Sequence, residues 1–142
     1  MKIDIYTHVM PARYKEALYK YADKFVTEKS VQDRRPTLTD HGERLRKLNE
    51  FEGVVQILSV TMPPVEEIVG PEEAAELARI SNDEMAEMVA QNPKRYLAAI
   101  ANLPLNNMDA ALKEAERTIK KLGSRAYRST PASMESLRVQ MK

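Results

Sequence analysis

The sequence predicts an α/β fold in which parallel strands alternate with helices. Three observations carry this. Short runs rich in β-formers recur at residues 2–6, 54–60 and 96–101, each bounded by turn residues. Each run is followed by a segment with apolar residues at helical spacing. The middle run, Val54-Val55-Gln56-Ile57-Leu58-Ser59-Val60, is almost continuously apolar, as a strand covered on both faces of a parallel sheet must be. Such alternation gives βαβ units with right-handed crossovers.

Taken in order, the first strand is Lys2-Ile3-Asp4-Ile5-Tyr6, ending near Thr7 or His8 before Pro11. Tyr14, Leu18, Tyr21 and Phe25 then mark a helix over residues 12–27, and the polar stretch 28–35 reads as a mobile loop closed by Pro36. A second helix is expected over residues 40–52. Asp40 with Glu43 resembles a capping box, and Gly53 suits the left-handed position that ends a helix. After the second strand, Thr61-Met62-Pro63-Pro64 forms a stop. Pro71, Glu72 and Glu73 then open the clearest amphipathic helix, with Ala74, Leu77, Ala78, Ser81, Met85, Met88 and Val89 on one face. Asn92-Pro93 ends it. Tyr96–Ala101 is the third strand. A last helix from Met108 to Leu122 presents Ala111, Leu112, Ala115, Ile119 and Leu122 inward. Residues 124–127 stand where a fourth strand belongs. Their arginine-flanked pattern is weak for a central strand, and the tail beyond carries Met134, Leu137 and Met141.

Composition narrows the function. The 142 residues hold 22 Lys and Arg against 21 Asp and Glu, so no electrostatic demand points to nucleic acid or an anionic membrane. There is no cysteine, which removes disulfides, thiolate metal sites and cysteine nucleophiles. Four glycines are too few for a dinucleotide fingerprint beside the other turns, and no phosphate loop is present. The longest uncharged apolar stretch, residues 53–65, is broken by polar residues and two prolines. It falls short of the roughly 20 residues that a membrane span requires. A cytoplasmic, soluble domain is the expectation.

Chemistry concentrates at the end of the first strand. In a regular strand Asp4, Tyr6 and His8 share one face, and in a barrel that face leads to the mouth where active sites sit. Histidine is a metal ligand, but one histidine does not satisfy Zn²⁺, which takes about four donors. Neutral tyrosine is a poor donor, its phenol ionising only near pH 10. Asp4 reads as a buttress of the strand end. His41 reads as a solvated residue at a helix start, and Asn82 and Asp83 as packing groups of the long helix. The cations Arg13, Lys15, Lys20, Lys24 and Lys29, interleaved with tyrosines, read as the solvated side of an amphipathic helix.

Ile3-Asp4-Ile5-Tyr6-Thr7-His8-Val9-Met10-Pro11 resembles the opening strand of the amidohydrolase 2, or amidohydrolase-related, family, which begins with Asp-x-His-x-His and a proline. That family includes aminocarboxymuconate-semialdehyde decarboxylase and related aromatic-acid decarboxylases and hydratases. Three later stretches are similar to it in the same order. Arg44-Leu45 through Ser59 is similar to its first helix and second strand. Asn82-Asp83 through Pro93-Lys94-Arg95-Tyr96 is similar to its Asn-Asp helix and the entry to strand three. Leu103-Pro104-Leu105 through Gly123 is similar to its Leu-Pro loop and third helix. The resemblance covers residues 2–123.

The resemblance implies the N-terminal portion of a TIM (β/α)₈ barrel, a fold of roughly 250 residues. Residues 1–128 would be a partial barrel domain, and 129–142 a short tail unlike the family. It implies a divalent metal, Zn or Mn, with His8 as ligand. Tyr6 replaces the family's first metal histidine and becomes a substrate-binding hydroxyl. No catalytic residue is assigned. The family's further ligands, a His after strand five and an Asp after strand eight, would lie beyond Lys142, so the metal site is incomplete here. A stop, a frameshift or a degenerate gene would each end the resemblance at Gly123. The segment after strand one would stand at the mouth as a lid. Two functions are expected from this: a metal-dependent hydrolase or decarboxylase of a small carboxylic acid, or a non-catalytic remnant or assembly module. A homo-oligomer is expected in either case.

Overall fold

The structure, a computed structural model, describes residues 1–124 and 126–127. The expected tail at 129–142 lies outside the described residues, as do Arg125 and Arg128. The element order is β1 (Lys2–Val9), α1 (Ala12–Leu18), a 3₁₀ turn (Tyr19–Lys24), α2 (Val26–Asp33), α3 (Pro36–Thr39), α4 (His41–Leu48), β2 (Val54–Val60), α5 (Val65–Ile68), α6 (Pro71–Gln91), β3 (Tyr96–Ala101), α7 (Met108–Leu122) and β4 (Ala126–Tyr127). The four strands form one sheet in the order β1-β2-β3-β4, with every pair parallel.

One face of the sheet carries the core. Val9, Leu58, Val60, Tyr96 and Ala99 pack there with Tyr14, Leu18, Leu48, Leu77, Met85 and Met88 from the helices. The intervening residues lie on the other face. Of these Ile5 and Leu97 are exposed, and Val55, Ile57 and Ile100 are partly covered. β2 is therefore buried on its helical face and only partly covered on the other.

Two expectations about helices are corrected. Residues 12–27 do not make one helix. The chain bends through the 3₁₀ turn, where Tyr21 leaves helical dihedrals, and Phe25 at φ −147° breaks it again. The supposed mobile loop is then α2. It is held where Tyr19 donates its hydroxyl to Asp33, and where the Gln32 amide donates to the Met62 carbonyl at 2.6 Å. In α7 the inner face is Ala111, Glu114 and Thr118, while Leu112 and Ile119 are exposed.

The cause of that rotation is a buried polar cluster. Asn82 on α6 accepts from the Asn102 amide at 2.8 Å and donates to both the Asn102 carbonyl (2.9 Å) and Glu114 (2.8 Å). Arg117 grips Glu114 with two nitrogens and Asp83 at 2.6 Å. A guanidinium held this way by two carboxylates is pushed above its ordinary pKa, its hydrogen bond to Glu114 being the largest cause. The Asn-Asp pair thus ties the end of β3 to two helices. Caps follow the sequence reading: Asp40 accepts from the Glu43 amide, and Gly53 and Gly123 take φ of 70° and 71°, where a Cβ would be strained.

Asn82→Ala leaves the Asn102 amide and Glu114 buried with fewer partners. It is expected to lower unfolding free energy by about 2–3 kcal/mol, read from the urea midpoint at unchanged slope.

Candidate functional site

β1 is not regular. Asp4 pairs with Gln56 and Thr7 with Leu58, so three steps along β1 match two along β2. The extra residue is a β-bulge, and it reverses the faces of the strand beyond it. Asp4 meets the bulge directly, because its carboxylate accepts the Tyr6 amide at 3.2 Å. The expectation that Asp4, Tyr6 and His8 share a face is therefore wrong. Asp4 turns to the helical side, near the Gln56 amide (3.4 Å), whereas Tyr6 and His8 turn to the open side. Thr7 and Val9 point into the core and are buried.

Tyr6 and His8 meet edge to face, with centroids 5.3 Å apart at 64°. His8 is half-buried, and its Nδ1 lies 3.0 Å from Ser59 Oγ on β2. The single hydroxyl proton of Ser59 goes to the Thr7 carbonyl at 2.7 Å. Ser59 can then only accept from the imidazole, so His8 carries a proton on Nδ1. Sequence reasoning missed Ser59. The available signal was a lone hydroxyl in an apolar strand, one residue short of the strand's end.

Behind the sheet, Arg44 on α4 fixes the same strand end. It donates to the His8 carbonyl at 2.8 Å, the Thr37 carbonyl at 3.1 Å and Gln56 Oε1 at 3.0 Å. Burial pulls its guanidinium below the ordinary pKa, with the neighbouring Tyr96 opposing. His41 is not solvated as expected. Its ring stacks on Tyr96 at 5.6 Å, and Nε2 is buried without a hydrogen-bond partner. A cavity of about 240 Å³ opens beside it, lined by Arg44, Asp40, Glu84 and Glu87, on the helical side and away from Tyr6. α1 does not form a lid. Its amides at Arg13 and Tyr14 are capped by Glu84 of α6, which draws it into the helical layer.

Metal chemistry needs more donors than this wall offers. Among the described residues no three His, Cys, Asp or Glu side chains come together. The bulge has removed Asp4, leaving one imidazole and one phenol, and these do not make a metal centre. Among the described residues, too, no helix is long and apolar enough to cross a membrane.

Comparison with known proteins agrees with the sequence resemblance. No protein-family model matches the chain. It is 37% identical over 100 residues to gamma-resorcylate decarboxylase of Polaromonas sp. (strain JS666), matching 70% of this chain and 30% of that protein. It is 26% identical over 138 residues to the 2-amino-3-carboxymuconate-6-semialdehyde decarboxylase of Dictyostelium discoideum, matching 87% of this chain and 38% of that protein. Among solved structures, a dihydroxybenzoic acid decarboxylase from Polaromonas with bound manganese and 2-nitroresorcinol superposes with a TM-score of 0.71 at 32% identity. The match covers 89% of this chain and 37% of that one. The 5-carboxyvanillate decarboxylase of Sphingomonas paucimobilis gives a TM-score of 0.74 at 28% identity, over 89% of this chain and 41% of that one. The chain thus spans 30–41% of these relatives. Its strands are the first part of their (β/α)₈ barrels, as the strand order requires.

Burial, the largest cause, and the nearby Arg44 charge lower the His41 pKa, with Asp40 opposing. A histidine depressed in the folded state contributes stability above its unfolded pKa, near 6.5, and loses it as pH falls through the lower folded value. Stability is therefore expected to decline from pH 7 towards pH 5. His41→Gln should flatten that part of the curve, measured by urea unfolding at each pH.

Proposed function

Starting from a chain homologous to the N-terminal part of the amidohydrolase 2 decarboxylases, we propose that it forms the β1–β4 wall of a site for a small carboxylic acid. The reaction class is metal-dependent decarboxylation, as the names of the relatives suggest; hydrolysis is the second chemistry of the family. The observation that supports this is the Tyr6–His8 pair on the open face at the carboxyl end of β1, where barrel enzymes place their chemistry.

The residues divide the work. His8, its Nδ1 held at Ser59, stands on the open face at the strand end as the imidazole of the site. Tyr6 is 86% exposed and offers a phenolic hydroxyl to a carboxylate. Ser59 and Arg44 hold the strand end, one by the Thr7 carbonyl and one by the His8 carbonyl. A divalent ion, zinc or manganese, belongs to the reading through the relatives, one of which carries manganese. The described donors do not hold it unaided, so no step is assigned to it. A cytoplasmic location is part of the proposal.

The second reading is a non-catalytic assembly module with no intact metal site. Metal analysis and CO₂ release from 2,6-dihydroxybenzoate separate the two. The enzyme reading expects about one Zn²⁺ or Mn²⁺ per site, with both metal and turnover lost in His8→Ala. Absence of both from a correctly folded chain overturns it in favour of the module.

A further inference from the structure

Strand β1 carries Ile3, Ile5, Thr7 and Val9 in alternation. In an unbroken ladder all four would share the core side, and Asp4 would stand with Tyr6 and His8 on the other. Keeping Thr7 opposite Leu58, that ladder would bring Ile5 opposite Gln56 and Asp4 opposite Val55. The observed pairing sets Asp4 opposite Gln56 instead, so a carboxylate takes the core side and Ile5 turns to the open face. Hydrophobic burial opposes this exchange, and a polar contact has to outweigh it.

That contact starts at Arg44, a cation only 8% exposed. A charge buried to this degree needs hydrogen-bond acceptors and a counter-charge. Its Nη2 donates to Gln56 Oε1 at 3.0 Å, and Gln56 Nε2 donates to Asp4 Oδ2 at 3.4 Å. A guanidinium only donates and a carboxylate only accepts, so the amide between them has one orientation. The other Asp4 oxygen accepts the Tyr6 amide, and Arg44 Nη1 donates to the His8 carbonyl. One buried cation therefore grips β1 on both sides of the irregular segment. Gln56 is also the last pair before the ladder between β2 and β3 shifts, where Gln56 faces Tyr96 and Ile57 faces Ala98.

We propose that Gln56 is a positioning residue of the Tyr6–His8 site: by joining Asp4 to Arg44 it fixes the bulge between Asp4 and Thr7 and keeps a carboxylate off the open face. This rests on the reading of that face as the seat of a small carboxylic acid, and deepens it. An aspartate beside Tyr6 and His8 would repel the carboxylate of such a substrate. With Asp4 held behind the sheet, the wall presents a phenol and an imidazole.

Two variants of the full chain test this. Gln56→Glu gives Arg44 a direct carboxylate partner and sets like charges against Asp4, so β1 is expected to take the unbroken register. The sign is a nuclear Overhauser contact between the methyls of Ile5 and those of Leu48, which lines the same cavity as Asp4 and Gln56, a contact not expected in the parent. The dissociation constant for 2,6-dihydroxybenzoate is expected to rise about tenfold or more. Adding Asp4→Asn reverses the direction of the relay: the asparagine amide donates to the introduced carboxylate, and its carbonyl accepts from the Tyr6 amide. This double variant keeps the parental net charge. It is expected to restore the bulge, to lose the Ile5–Leu48 contact and to recover the parental affinity. A folded Gln56→Glu chain without that contact overturns the proposal, as does a double variant that retains it, or a change of register that leaves the affinity unchanged. Should Gln56→Glu not fold, the double variant decides alone: recovery of the parental register supports the proposal, and no recovery overturns it. A parent chain that does not bind 2,6-dihydroxybenzoate overturns the substrate reading, while the methyl contacts still decide whether Gln56 places the bulge.

Discussion

One extra residue in β1 decides which side chains reach which side of the sheet. Parallel pairing with β2 fixes Asp4 opposite Gln56 and Thr7 opposite Leu58, and the residue left over turns the strand by one position. Before it, Asp4 faces the helices. After it, Thr7 and Val9 fill the core while Tyr6 and His8 face outward. The Asp4 carboxylate accepts the Tyr6 amide, so the bulge carries its own local hydrogen bond. Arg44 anchors the strand end from behind through the His8 carbonyl, and Ser59 anchors it from the side through Thr7. The orientation of the site residues depends on these three contacts.

Much of the fold was legible in the sequence because it follows from periodicity and punctuation. Tyr96–Ala101, Met108–Leu122 and the start at Pro71 were read to the residue. Each is bounded by a proline, a cap or a left-handed glycine. The failures have a common cause in tertiary polar contacts. Nothing local shows that Glu114 turns inward to meet Asn82 and so rotates α7, exposing Leu112 and Ile119. Nothing local shows that Tyr19 and Met62 hold residues 26–33 as a helix. His41 was read as solvated because its neighbours are polar, yet Tyr96, distant in sequence, provides a stacking surface.

The site was legible in identity but not in geometry. Tyr6 and His8 were found from the strand end and the family resemblance, and they do lie together on the open face. Their grouping with Asp4 failed, because alternation holds only while the ladder is regular. Ser59 was missed for a related reason. Its role depends on the cross-strand register, which one strand's sequence does not contain.

The central claim is that the bulge sets His8 against Ser59 with the proton on Nδ1. Long-range ¹H–¹⁵N correlation of the imidazole rings tests it directly, since the chain has only His8 and His41 and His41→Gln leaves one signal set. With the ring neutral, the account predicts the Nδ1–H tautomer for His8, with that preference lost in Ser59→Ala. An Nε2–H tautomer in the parent chain, or a preference indifferent to Ser59, would contradict it.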